Sequence, residues 1–117
     1  MNENLDFEEG APEYNRIPKK IELFGRVLTT IEDNAKLNFT RSFGEARYGV
    51  NQIAIANRFA ELDIPNDERK ITYLHEMLHF ILNFTGYEKA IGDAVDIEQF
   101  IELMASAIYQ YEKSAEY

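Results

Sequence analysis

The two histidines of the chain lie four residues apart, in the segment ITYLHEMLHFIL. His75, Glu76 and His79 therefore spell the pattern H-E-x-x-H. On an α-helix, side chains at positions i and i+4 lie on the same face, so the two imidazoles can bind one metal ion side by side. Glu76 follows the first histidine and can act as general base toward a water molecule at that ion. The pattern predicts a zinc site that hydrolyses peptide bonds.

The segment around the motif has the periodicity of an amphipathic helix. Apolar residues recur there at intervals of three and four, at Ile71, Leu74, Leu78, Ile81 and Leu82. Residues 65–68, PNDE, have the composition of a helix start, and Gly86 is typical of a helix end. We therefore predict a helix from about residue 66 to residue 85 that presents both histidines on one face.

The third ligand of the predicted site must be a carboxylate, because the chain has no other histidine and no cysteine. A second amphipathic helix is predicted from about residue 93 to residue 113, with a buried stripe at Ile97, Ile101, Met104, Ala105, Ile108 and Tyr111. It follows a short connection, residues 87–92, so the two helices are expected to form an antiparallel hairpin.

Three acidic residues of the second helix are candidate ligands: Glu102, Glu98 and Asp96. A hairpin centred near residues 89 and 90 places Glu102 opposite the interval between the two histidines. The apolar stripe instead favours Glu98, which is nearer its centre. We predict Glu102 as the third ligand and keep Glu98 as the alternative.

The N-terminal half has the alternation of β-strands. Residues 19–34 read as one bent strand or a hairpin around Gly25, and Gln52–Ala56 reads as a further strand, expected at the edge of the sheet. The predicted fold class is α+β, a small twisted, mostly antiparallel sheet packed on the active-site helix and the glutamate helix. Residues 1–15 are expected to be a flexible acidic arm, and residues 16–117 a single domain.

Composition limits the classes of partner. The 117 residues carry a net charge of −9, which argues against nucleic-acid binding, and the excess of acids reads as a solvated surface. The absence of cysteine excludes disulfides, and the first residues have no basic segment followed by an apolar run of the signal-peptide kind. No apolar stretch approaches the length of a membrane span, so we expect a cytoplasmic protein whose partner is a peptide or protein substrate.

The motif and the downstream sequence ELMAS, Glu102 to Ser106, together resemble the glutamate-zincin (gluzincin) metallopeptidases. The chain is most similar to minimal members of that group, such as small H-E-x-x-H proteins of phages and mobile elements and the radiation-response and repressor-cleaving peptidases of bacteria. The resemblance implies a zinc-dependent peptidase with ligands His75, His79 and Glu102 and with Glu76 as base. The chain lacks the second subdomain of larger gluzincins and its oxyanion-binding histidine.

A tyrosine is a possible substitute for that missing oxyanion donor. Tyr109 lies seven residues after Glu102 on nearly the same helix face, although a packing role suits it better. Tyr48 and Tyr73 are weaker candidates. The alternative to a peptidase is a mobile-element protein with a structural or inactive zinc site that acts as a binding module. Glu76 favours catalysis, because a purely structural site needs no base beside its ligand.

Overall fold

A four-stranded sheet packs on one long helix, and a second long helix packs on the first. This arrangement is described by a computed structural model that covers residues 12–117. The strands are β1 (Lys20–Leu23), β2 (Arg26–Glu32), β3 (Gly44–Arg47), β4 (Gln52–Ile55), β5 (Arg58–Phe59) and β6 (Leu62–Asp63). The helices are α1 (Asn34–Thr40), α2 (Asn66–Thr85), α3 (Glu88–Ala94) and α4 (Ile97–Ser114), with short 3-10 turns at Glu13–Asn15 and Tyr48–Val50. The predicted α+β class is confirmed.

The first two strands form the hairpin that Gly25 predicts. β1 and β2 pair antiparallel, with Leu23 opposite Arg26, so only Phe24 and Gly25 form the turn. Both turn residues have positive φ, 52° for Phe24 and 77° for Gly25. Two consecutive left-handed residues match the right-handed twist of the flanking strands, and glycine adopts this conformation without strain.

The order of strands in the sheet is β1-β2-β4-β3, so β3 and not β4 is the edge strand on the side of the helices. β4 pairs parallel with β2 on one side and antiparallel with β3 on the other. The prediction of an edge strand at Gln52–Ala56 is therefore wrong. The chain reaches β3 first, through α1, and the 3-10 turn at Tyr48–Val50 then returns it into the gap between β3 and β2. Ile53, Ala54 and Ile55 are buried accordingly.

Helix α1 was not predicted, and side-chain contacts explain why it forms. The Asp33 carboxylate caps its first turn by accepting from the Lys36 N–H at 3.2 Å. Asn34 Oδ1 accepts from the backbone N–H of Asn57 at 2.9 Å, and Asn38 Oδ1 accepts from that of Ala60 at 2.9 Å. These contacts hold α1 against the connection to the small β5–β6 hairpin.

The main core lies between the sheet and α2. Its buried members include Leu28, Ile53, Ile55, Tyr73, Leu74 and Phe80. Helix α4 contributes Ala105 and Tyr109 to this core, and the Tyr109 hydroxyl donates to Asn15 Oδ1 at 2.7 Å. Met104 and Tyr111, predicted in the buried stripe, are 40 % and 63 % exposed. Tyr109 is thus a packing residue, and its hydroxyl is engaged by Asn15.

Two expectations concern the ends and the environment of the chain. Residues 1–11 of the predicted arm lie outside the described residues. Glu13–Asn15, at the end of that arm, form a 3-10 turn. The carbonyl oxygen of the next residue, Arg16, accepts a hydrogen bond from Lys70 Nζ at 2.7 Å. Across residues 12–117, no helix combines the length and the apolar character that crossing a membrane requires.

Candidate metal centre

Helix α2 holds the H-E-x-x-H residues at the border between the core and a cleft. Tyr73, Leu74 and Phe80 anchor the helix in the core. The helix ends at Gly86, whose φ of 80° allows its N–H to donate to the carbonyl oxygens of the last turn. The side chains of His75 and His79 keep 16 % and 12 % of their surface exposed. Both imidazoles therefore reach the cleft while their stems remain packed.

The Glu98 carboxylate of α4 contacts both imidazoles at the same kind of nitrogen. Glu98 Oε1 lies 3.2 Å from His75 Nε2, and Glu98 Oε2 lies 3.3 Å from His79 Nε2. The ring centroids of the two histidines are 5.0 Å apart. One ligand atom from each of His75, His79 and Glu98 lies within 4.8 Å of the other two. Among residues 12–117, these three side chains form the group that could hold a metal ion.

The other nitrogen of each imidazole faces a separate carboxylate. His75 Nδ1 is 2.9 Å from Glu102 Oε1 on α4, and His79 Nδ1 is 3.4 Å from Glu88 Oε2 on α3. Carboxylates in this position orient metal-binding histidines, because they accept the Nδ1–H proton and leave the Nε2 lone pair free for the ion.

The four contacts favour a cation between the Glu98 carboxylate and the two histidines. A neutral imidazole carries one N–H, so it can donate to only one of the two carboxylates that it faces. Nδ1–H bonds to Glu102 and Glu88 leave both Nε2 lone pairs directed at the negative charge of Glu98. A cation at that point is attracted by all three groups, and two imidazoles with one carboxylate are a donor set that suits Zn²⁺.

The structure groups Glu98, rather than Glu102, with the two Nε2 atoms. Of the two histidines, Glu102 contacts His75, through Nδ1. The difference from our predicted ligand set arises in the connection, where α3 (Glu88–Ala94) replaces a short loop. Asp96, the third candidate, caps α4 by accepting from the Gln99 N–H at 3.2 Å and is not in the group.

Glu76 is buried beside this group. Its exposure is 8 %, and its carboxylate has no hydrogen-bond partner among residues 12–117. Burial raises the pKa of Glu76, and the adjacent His75 and His79 act in the opposite direction. A buried carboxylate of this kind can accept a proton, and the role of Glu76 as general base stays a prediction.

The cleft consists of two adjoining cavities that share Gly44, His75 and Glu76. The larger, of about 540 Å³, extends toward Glu68 at the start of α2. The smaller, of about 300 Å³, extends past His79 and Glu98 to Tyr48. His75 and Glu76 therefore lie at the junction of the cavities, and the edge strand β3 runs along one wall.

Gly44 brings β3 this close to α2. A Cβ atom at position 44 would lie 2.5 Å from Thr72 Cγ2, 3.2 Å from Glu76 Cγ and 3.2 Å from the Ala54 carbonyl oxygen. Only a residue without a side chain fits this contact without displacing its neighbours. The close approach holds the Glu76 side chain against the strand.

Tyr48 and Glu88 also lie at the candidate site, although little in the sequence pointed to either residue. Tyr48 follows β3 and packs edge-to-face on buried Phe80, with ring centroids 5.0 Å apart. Burial, followed by the charges of Glu88, Glu76 and Glu98, raises the pKa of Tyr48 to about 12, so its phenol keeps its proton. The only sequence signal for Tyr48 was its place near a strand turn, and Glu88 had none.

No protein-family model, curated protein or solved structure matches this chain. The function is therefore inferred from the side chains and their geometry.

Proposed function

We propose that this chain is a zinc-dependent peptidase of minimal gluzincin type. The observation that carries the proposal is the Glu98 carboxylate between the Nε2 atoms of His75 and His79. Beside it, at the junction of the cleft, lies the buried Glu76, whose carboxylate has no hydrogen-bond partner within residues 12–117. His75, His79 and Glu98 are the proposed ligands. When bound, the zinc ion supplies a Lewis acid that polarises a carbonyl group and makes water more acidic.

Glu76 is the proposed general base. Its carboxylate accepts one proton from the attacking water, whose oxygen forms a bond to the carbonyl carbon of the substrate. Glu76 then donates that proton to the leaving nitrogen as the C–N bond breaks, so one water molecule is consumed and a carboxylic acid and an amine are formed. The burial of Glu76 keeps bulk water away from this proton transfer.

Tyr48 is the proposed hydrogen-bond donor to the oxyanion that forms on the carbonyl oxygen. Its phenol lines the smaller cavity together with Glu76, His79 and Glu98, and its ring is fixed by contact with Phe80. A rigid O–H donor placed where negative charge develops stabilises the transition state more than the ground state.

The edge strand β3 offers a way to align the substrate. In the part of the chain that the structure describes, its outer side has no strand partner, and it forms a wall of both cavities. An extended peptide can pair with such an edge through backbone hydrogen bonds. In that pose, a peptide bond opposite Gly44 lies beside Glu76 and His75.

The first experiment compares zinc-loaded wild type with Glu76→Gln on a broad peptide library read by mass spectrometry. We expect the wild type to cleave, and Glu76→Gln to keep its zinc while losing cleavage by about 100-fold or more. Equal cleavage by the two proteins would exclude Glu76 as the base. A wild type that holds zinc and binds peptides without cleaving any of them would indicate the binding module instead.

The second experiment tests Tyr48 with Tyr48→Phe. Removal of one oxyanion donor lowers kcat by about 100-fold in comparable sites, so we expect a fall of 10- to 100-fold with KM and zinc affinity unchanged. Tyr111→Phe, on the exposed face of α4, is the matched control and should behave as wild type. An unchanged kcat in Tyr48→Phe would remove Tyr48 from the mechanism.

A further inference from the structure

We propose that the cleft selects peptides with a lysine or arginine close to the cleaved bond, and that Glu68 binds the cation of that side chain in the larger cavity. This inference rests on the proposed function, because it assigns a substrate class to the same site. It goes beyond that function in naming a residue that selects the substrate.

The position of Glu68 suits a long side chain. Glu68, Thr72 and Glu76 line the larger cavity from one face of α2. Glu68 and Glu76 are eight residues apart, which is about 12 Å along the helix axis. A substrate held with its reacting bond at Glu76 can bring a cation to Glu68 through a long side chain near that bond, and lysine and arginine are the long cationic residues.

The wall of the larger cavity includes two large apolar side chains. Ile71 projects into the larger cavity from α2, and Phe43 does so from the segment that leads into β3. The Phe43 ring is fixed by an edge-to-face contact with Phe59, with centroids 5.1 Å apart. The aliphatic stem of lysine or arginine packs well on such a wall while its charged end stays near water.

The charge of the cleft favours a cation. Among the described residues that line the larger cavity, Glu68, Glu76 and Glu102 face a single base, Arg41. A divalent ion does not reverse this balance, because Glu98, Glu102 and Glu88 surround the two histidines that would bind it. A cleft lined mainly by one sign of charge attracts ligands of the opposite sign.

Two observations separate this cavity from an ordinary acidic surface. Glu76, which is more than nine-tenths buried and whose carboxylate has no hydrogen-bond partner among residues 12–117, lines the same cavity. The Glu68 carboxylate also has no hydrogen bond or ion pair among residues 12–117. Glu68 lies in the first turn of α2, where its charge favours the helix dipole, but that role does not require it to line a cavity.

The test uses two series of fluorescent peptides that are identical except for one residue, lysine in one series and glutamate in the other, moved stepwise along the sequence. Binding is measured by fluorescence polarisation to the zinc-loaded Glu76→Gln variant, which cannot turn over its ligand. Cleavage of the same peptides is measured with wild type. We expect the best lysine peptide to bind about 10-fold more tightly than its glutamate partner, with the preference falling at high salt.

Charge reversal identifies the residue responsible. Glu68→Lys, added to Glu76→Gln, should abolish or invert the preference, and Arg41→Gln should strengthen it. Glu22→Lys is the matched control, since it changes the net charge equally from the exposed face of β1, at the opposite edge of the sheet. It should leave the preference unchanged.

The outcomes distinguish this inference from the proposed function. Lysine and glutamate peptides that bind and are cleaved equally would overturn the preference and leave the peptidase intact. An equal effect of Glu22→Lys and Glu68→Lys would overturn the role of Glu68. A lysine preference that depends on Glu68, without cleavage by wild type, would support the inference and refute the peptidase. Failure to bind any peptide would refute both.

Discussion

Removal of the Glu98 carboxylate should weaken zinc binding more than removal of any other carboxylate around the two histidines. Glu98 contacts both Nε2 atoms, at 3.2 and 3.3 Å. Apparent zinc-binding free energies of about 10–16 kcal/mol for sites with four ligands correspond to roughly 3–4 kcal/mol per ligand. Each 1.4 kcal/mol is a factor of ten, so Glu98→Ala should raise the zinc Kd by roughly 100- to 1000-fold.

Glu102 and Glu88 should matter less, because they face Nδ1 and therefore orient the imidazoles without reaching the ion. Loss of such an acceptor costs about 10- to 100-fold in metal affinity. Glu102→Ala should have the larger effect of the two, since its distance to the imidazole is 2.9 Å against 3.4 Å for Glu88. Glu102→Gln keeps an acceptor oxygen and should recover most of the loss.

The assay is competition for zinc with a chromophoric chelator at neutral pH, with metal content measured separately. Thermal unfolding of each metal-free variant establishes that the fold persists. Glu22→Ala, on the exposed face of β1, controls for the loss of one negative charge. A larger loss for Glu102→Ala than for Glu98→Ala would refute the reasoning and restore the ligand set that the hairpin register predicted. Equal losses in all variants, Glu22→Ala included, would indicate a general charge effect.

Three further predictions concern the fold around the site. Tyr73→Phe should raise the free energy of unfolding by about 1 kcal/mol, because the buried hydroxyl has no hydrogen-bond partner among residues 12–117. A loss of stability would instead show that the hydroxyl has a partner. Arg47 donates a hydrogen bond to Asp33 and lowers the pKa of that carboxyl, so the bond stabilises the fold above pH 4 and its contribution fades as the pH falls further. In urea unfolding, Arg47→Met should lower the free energy of unfolding by about 1 kcal/mol at pH 7 and by less near pH 3. A loss of stability that does not change with pH would contradict this. Gly44→Ala should lower the free energy of unfolding by about 1–3 kcal/mol and lower activity, and adding Thr72→Ala should partly restore both. If Thr72→Ala restores neither, the contact between the new methyl group and Thr72 Cγ2 is not the cause.

The helices and the first hairpin could be predicted because their signals are local. The apolar periodicity around His75 and the glycine at position 86 set the length of α2, which runs from Asn66 to Thr85. The glycine at position 25 fixed the β1–β2 turn. Each of these features depends on residues within one or two turns of chain, so no long-range contact had to be known.

The identity of the carboxylate between the histidines depended on a contact that the sequence does not display. A register counted through a short loop favoured Glu102. The connection instead contains α3, and α4 begins only at Ile97, after its capping residue Asp96. In this register His79 faces Glu98 and His75 faces Glu102. The apolar stripe favoured Glu98, the residue that contacts both Nε2 atoms, because it reports which face of α4 turns toward α2.

The order of strands was beyond prediction for a related reason. Alternation identifies a strand, but it does not say which neighbour the strand pairs with. β4 pairs with β2 in parallel because α1 and β3 intervene, and α1 itself depends on Asn34 and Asn38, which bond a segment about 20 residues away. The exposed edge of the sheet beside the helices is consequently β3 and not β4.

The proposed base Glu76 and the two histidines share helix α2 but have separate supports. Glu98 and Glu102 reach the histidines from α4, and a cation among these carboxylates turns their mutual repulsion into attraction, so ion binding and the packing of α4 on α2 stabilise each other. Glu76 instead packs beside Gly44 of the sheet, a contact that involves no charge. A change at Glu76 therefore leaves the support of the histidines in place. This separation is the physical reason to expect that Glu76→Gln keeps zinc and loses catalysis, and that Glu98→Ala loses zinc first.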